Sequence, residues 1–120
     1  MNLPTTNKET GSRGEQIAKD YLVSQQYTIL EQNFRYSKSE IDLIAKEGEI
    51  LVFIEVKTRS YDYFGPPESF VSEYKEVLIH EAGSYYMEKI NHDWEFRFDI
   101  IAILLNKDGS YKLEHHKDAF

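Results

Sequence analysis

Apolar residues recur along this chain with two periods. Ile17, Ala18, Tyr21 and Leu22, with Gln25 closing the series, follow helical spacing and predict an amphipathic helix over 11–25. Residues 1–10 are polar, contain Pro4 and show no period, which predicts a loose N-terminal arm. Three runs rich in Ile, Val, Leu and Phe, at 27–34, 40–46 and 50–59, predict strands, and Gly48-Glu49 suits a two-residue type II′ hairpin turn. Phe64-Gly65-Pro66-Pro67 is a breaker, after which Pro67 is placed to open a second helix running to about Ile90. Its expected inner face combines Phe70, Val71, Tyr74, Val77, Leu78 and Ala82 with Tyr85 and Tyr86. The run 97–105 is nearly continuous in apolar residues, as in a strand buried on both faces, and a turn over 106–110 leads into a short last strand over 111–115. The order α-β-β-β-α-β-β predicts one α/β domain over 11–120, a mixed β-sheet flanked by helices.

The hairpin register carries the first chemical signal. With Gly48 and Glu49 as the loop, Asp42 falls opposite Glu55, Glu40 opposite Lys57 and Ile44 opposite Phe53. Alternation then puts Glu40, Asp42, Glu55 and Lys57 on one face and Ile41, Leu43, Ile54 and Val56 on the other. Two opposed carboxylates repel, and a divalent cation such as Mg²⁺ or Mn²⁺ would reconcile them, since hard oxygen ligands suit it. Lys57, projecting on the same face, could stabilise charge on a phosphate or position a water, which together is an apparatus for phosphodiester hydrolysis. The bland alternative is an exposed Glu40–Lys57 ion pair worth at most about 1 kcal/mol. Against it, strands this apolar belong in the middle of a sheet, where unpaired charge is costly.

Glu15 lies at the edge of the first helix's apolar stripe and could face the sheet. Ser12-Arg13-Gly14-Glu15 also fits an S-x-x-E capping box, which spacing alone favours. His115 and His116 point to opposite faces of a strand, cannot chelate jointly, and read as surface residues. Arg97 and Asp99 share a strand face and suit a structural ion pair. Of the nine tyrosines, Tyr61 and Tyr63 are the candidates for base stacking, whereas Tyr74, Tyr85 and Tyr86 fall at helix-core spacing.

Composition narrows the setting. A length of 120 residues fits one domain. The absence of cysteine excludes disulfides, thiolate zinc and cysteine nucleophiles, and fits a reducing compartment. No apolar run is long enough to span a bilayer, and the polar start lacks a signal-peptide core, so the expectation is a cytoplasmic protein with no membrane partner. The net charge of −7 argues against nucleic acid, but residues 60–96 carry eight acids and two bases, a net −6 that leaves −1 for the rest. All four arginines, Arg13, Arg35, Arg59 and Arg97, lie outside that stretch, so a locally basic face can exist.

The blocks GSRGEQIAKDYL, NFR, SEIDLIA, FIEVKTR, FGPP, the Lys75 helix, RFDI and the closing DAF occur in the order of the YraN-like family, which the chain resembles over residues 11–120. That family is similar to archaeal Holliday-junction resolvases and to the wider PD-(D/E)xK, restriction-endonuclease-like superfamily. The resemblance implies a restriction-endonuclease-like core and a metal-dependent nuclease with Mg or Mn as cofactor. It implies that Asp42 binds or bridges metals, that Glu55 binds metal together with the Val56 carbonyl, and that Lys57 assists the water or the transition state. It also matches Glu15 to the helix-borne glutamate of the resolvase-like branch, promoting it from cap to ligand. The candidate phosphate contacts are Arg13, Arg35, Lys38, Arg59 and Lys75. Two positions depart from the family pattern: Ser39 stands where glycine is usual, and Val77 and Leu78 stand where basic residues are common.

Three readings follow. The first is an endonuclease acting on DNA, with branched or junction DNA as a candidate substrate and a homodimer as the candidate assembly, because resolvase relatives are dimers. The second is a catalytically silent nuclease fold that binds nucleic acid. The third is a protein-interaction module using the acidic segment to dock a basic partner.

Overall fold

A computed structural model describes residues 7–62 and 71–120. The chain runs α1 (Asn7–Ser24), β1 (Thr28–Tyr36), β2 (Ser39–Glu47), β3 (Ile50–Ser60), α2 (Glu73–Lys89), β4 (Phe96–Leu105) and β5 (Tyr111–His116). The expected α/β class and element order are both present. Helix α1 begins four residues before the expected Gly11, so Ser12 lies inside it and the anticipated capping box does not form. The breaker at 64–67, the helix opening at Pro67, the core role of Phe70 and the stacking role of Tyr63 fall outside the described residues.

One five-stranded mixed sheet has the spatial order β1-β2-β3-β4-β5. Strands β1 to β3 form an antiparallel meander, α2 crosses over to set β4 parallel to β3, and β5 returns antiparallel. The central strands β3 and β4 are the most apolar, as strands covered on both faces must be. Gly48 carries φ +61, which a Gly-X hairpin turn requires.

Each face has its own core. Ala18 and Leu22 of α1 pack on Leu43, Val52, Ile54 and Ile101. Ile79, Ala82 and Tyr86 of α2 pack on Ile44, Phe53, Phe98 and Ile100. Ser72 caps α2, its hydroxyl accepting from the Lys75 N–H at 3.3 Å. The inner face of α2 differs from the expectation: Tyr74, Val77 and Tyr85 are exposed, while Ile79, Ala82, Gly83 and Tyr86 are buried. The apolar residues of α2 encircle the helix, so periodicity alone could not choose the packed side.

Gly14 sets the height of α1. A Cβ at this position would lie 1.8 Å from the Thr58 hydroxyl oxygen, so the helix can sit this low over β3 only because residue 14 has no side chain.

Two adjoining strands change face at one point. The β1–β2 ladder pairs Gln32 with Leu43 and Phe34 with Ile41, with no rung between Asn33 and Asp42. Asn33 adopts φ 51 there, a left-handed conformation that asparagine tolerates better than most residues. Beyond it, Ile41 and Phe34 join the α2-side core, whereas Leu43 belongs to the α1 side. The expectation that Ile41, Leu43, Ile54 and Val56 share a face therefore fails at Ile41.

Candidate metal centre

The predicted β2–β3 register holds from Glu47↔Ile50 to Leu43↔Ile54 and stops there. Asp42 and Glu55 come just past the last rung, where the strands splay. The Val56 N–H donates to Asp42 Oδ2 at 2.7 Å. A side-chain carboxylate thus fills the place a backbone carbonyl would take in a continued ladder.

Glu15 from α1 and Glu40 from β2 complete the arrangement. Glu15, Glu40 and Asp42 each offer one oxygen, and the three lie within 4.8 Å of one another. Asn33 bridges two of them: with its amide oriented to satisfy its neighbours, its nitrogen donates to Glu15 Oε1 and Glu40 Oε1, both at 2.9 Å. A cavity of about 700 Å³ opens here, lined by Glu15, Asp42, Glu55, Val56, Thr58 and Arg59 among others. Glu55 is buried, and its Oε1 accepts a charged hydrogen bond from Lys75 Nζ of α2 at 2.5 Å.

The electrostatics reflect a shortage of positive charge. Burial, with help from the Glu55 charge, pushes Asp42 up to about 7, against the smaller opposing effect of the Val56 N–H. Burial also raises Glu15, with Glu40 and Glu55 adding to it. Two ionised carboxylates 4 Å apart repel by about 1 kcal/mol in water and about 4 kcal/mol at an effective dielectric of 20. Protonation of Asp42 relieves this strain near neutral pH, and a divalent cation would relieve it more completely.

The sequence-predicted residues separate into groups. Asp42, Glu15, Glu55 and Val56 line one cavity, together with Arg59, whose Nη1 donates to the Thr58 carbonyl at 2.9 Å. Lys57 pairs with Ala102 in the β3–β4 ladder and is half-buried, and it is not among the residues lining the cavity. It does not meet Glu40 as the extended register predicts; Glu40 instead pairs with Arg35 at 3.0 Å. Arg13 donates to the Gly109 carbonyl at 2.5 Å, tying α1 to the β4–β5 turn. Lys38 is exposed in the β1–β2 turn. Lys75, placed among phosphate contacts by the sequence, has Glu55 as its partner. Glu40 and Asn33 are the residues missed. Glu40 carries a signal, two positions before Asp42 on one strand, but the extended register pairs it with Lys57.

A second buried polar group lies on β4, on the α1 side of the sheet. Asp99 is fully buried and accepts from Arg97 Nε at 2.9 Å and the Asp118 N–H at 3.0 Å, with His115 Nε2 at 2.8 Å. The expected Arg97–Asp99 pair is present. His115, expected at the surface, is instead buried, with Tyr21 at 3.0 Å on its other ring nitrogen. No helix among the described residues is long and apolar enough to cross a membrane.

A family model described as Uncharacterised protein family UPF0102 matches residues 14–103. A UPF0102 protein of Christiangramia forsetii is 47% identical over 114 residues, covering 95% of each chain. One from Pelobacter propionicus is 45% identical over 117 residues, covering 95% of this chain and 84% of the relative. A third, from Thermodesulfovibrio yellowstonii, is 43% identical over 112 residues, covering 93% and 96%.

Proposed function

The chain belongs to the UPF0102 family, and on that footing we propose that it is a divalent-cation-dependent nuclease hydrolysing DNA phosphodiesters. Branched or junction DNA is the substrate class that the resemblance to resolvases and to the PD-(D/E)xK superfamily suggests. One observation carries the reading: carboxylates from α1 and β2 converge within 4.8 Å at the splayed end of a hairpin.

The donor set fits Mg²⁺ or Mn²⁺. All three groups are hard oxygen donors, and opposite ligands of an octahedral Mg²⁺ lie about 4.2 Å apart. Asp42, Glu15 and Glu40 would hold the ion, with Glu55 and the Val56 carbonyl completing the shell from β3. When bound, the ion would supply Lewis-acid stabilisation of the phosphate and lower the pKa of a water. The Val56 N–H fixes one oxygen of Asp42 and leaves the other for a ligand. Lys75 holds the Glu55 carboxylate in a defined orientation. Lys57 is assigned to the negative charge that grows on the phosphoryl group. Arg59 on the cavity wall, with Arg13, Arg35 and Lys38 further out, would meet the DNA backbone.

Two measurements test the reading together. Mn²⁺ should broaden amide signals around Glu15, Glu40 and Asp42 in the wild-type protein and not in Asp42→Asn. With Mg²⁺ or Mn²⁺, the protein should cleave at least one of junction, flap and single-stranded DNA, and Glu55→Ala or Lys57→Ala should abolish that cleavage. Absence of localised broadening at millimolar Mn²⁺, or cleavage untouched by both substitutions, overturns it. Salt-dependent DNA binding insensitive to Asp42→Asn, without cleavage, would establish the silent binding protein instead.

A further inference from the structure

The outward face of α2 is unlike an ordinary solvated helix face. Tyr74, Val77 and Tyr85 are 68%, 56% and 44% exposed. Tyr36 of β1 stacks on Tyr85 with ring centroids 4.4 Å apart, and the C-terminal Phe120 packs beside His80, centroids 5.9 Å apart. Tyr36, Val77, His80, Tyr85 and Phe120 line an open groove of about 990 Å³ that follows α2 from Glu73 to Glu88. From Glu73 to Glu88 the helix rises about 22 Å, so the groove has the length of a four-turn helix. Glu73, Glu76, Glu81 and Glu88 line the same groove. Exposed aromatic and aliphatic side chains interleaved with carboxylates form the surface expected of a docking site, not of plain solvent exposure.

We propose that this groove binds a basic amphipathic segment of another protein, with apolar residues on the aromatic side chains and Lys or Arg against the glutamates. Charge complementarity selects the occupant. DNA or RNA could stack on Tyr85 and Tyr36 but would bring its phosphates against four carboxylates. A symmetric pairing with a second copy would set the same glutamates against each other, in a chain whose net charge is already −7. A cationic segment has neither cost and gains both apolar burial and ion pairing. The groove shares no residue with the carboxylate cluster, so docking and the proposed hydrolysis can be tested separately.

The probe is a fluorescein-labelled 14-residue peptide of Leu and Lys at helical spacing, titrated into the isotopically labelled full chain. The expected result is a contiguous patch of amide shifts at Val77, Glu81, Tyr85 and Phe120. Glu76→Lys with Glu81→Lys should weaken binding roughly 10-fold, and Tyr85→Ser about 5-fold. Glu81 and Tyr85 are exposed and Glu76 is half-buried; unchanged spectra away from α2 verify the fold. An oligolysine of equal charge without leucine should bind at least about 10-fold more weakly. Equal affinity for oligolysine, shifts centred on the carboxylate cluster, or indifference to the glutamate reversals overturns the proposal. Tighter binding of single-stranded DNA on the same patch, or self-association abolished by Tyr85→Ser, overturns it in favour of nucleic acid or a second copy.

Discussion

Asp42 and Asp99 are the same residue type on strands of one sheet, and their surroundings have opposite designs. Burial raises both. At Asp99 the hydrogen bonds from His115, Arg97 and the Asp118 N–H outweigh burial and hold the carboxyl below its ordinary range. Arg97 extends the network by reaching Glu47 at 2.8 Å and the Tyr27 hydroxyl at 2.7 Å, so β2, β4, β5 and the segment after α1 are joined through one ion-paired group. Asp42 has one backbone N–H and the neighbouring charges of Glu55 and Glu15, and it is driven up to about 7. The first site is complete as built. The second holds its carboxylates in a strained arrangement that an added cation would stabilise, which is the pattern expected of a working centre.

The largest effect should come from breaking the complete site. Asp99→Ala leaves Arg97 with its buried partner removed, and urea denaturation should show a loss of about 3–5 kcal/mol. Asp42→Asn, by contrast, should leave the metal-free protein as stable or more so above neutral pH. The next effect sharpens the contrast with metal. Saturating Mn²⁺, at about 100 times its dissociation constant, should stabilise the wild type by about 2.7 kcal/mol. Thermal unfolding should show that gain at pH 8, little of it at pH 5 where Asp42 is protonated, and none in Asp42→Asn.

The smallest effect is the slope of stability with pH. Asp42 keeps its proton in the folded protein up to about 7, whereas in the unfolded chain it loses it near 4. The folded state therefore binds more protons within that window, and this group's contribution falls as pH rises from 4 to 7. Asp99 has the opposite sign: its contribution is full above the unfolded value and is lost as pH falls through its lowered folded value. Denaturation of wild type against Asp42→Asn should show a difference growing between pH 4 and 7 to the order of 2 kcal/mol, reduced by partial solvent access.

Much of this was legible from local pattern. The strands around Ile44 and Phe53, the Gly48 turn and the Leu43↔Ile54 register follow from apolar runs and turn chemistry, and they bring Asp42 and Glu55 to the same end of the hairpin. Alternation failed where the backbone departs from regular strand geometry. The positive φ of Asn33 and the missing rung beside Asp42 turn Ile41 to the other face and gather Glu40 with Glu15, and no spacing rule announces such a change. The burial of His115 escapes prediction because it depends on partners distant in sequence, Asp99 and Tyr21. The outward tyrosines of α2 escape prediction because apolar residues spread around a helix do not declare its packed side.

The seat of α1 on β3 has a consequence for the centre beside it. Gly14 and Thr58 meet with no room for even one methyl group between them, so the separation of helix and strand is set by hard contact and not by adaptable packing. Glu15 is the next residue along, and its reach toward Glu40 and Asp42 is measured from that contact. Any side chain at position 14 would act as a spacer, lifting the helix and widening the gap the carboxylates share. Position 14 is thus the gauge of the centre: it contributes no charge and no ligand, yet it fixes the width across which three acids face one another.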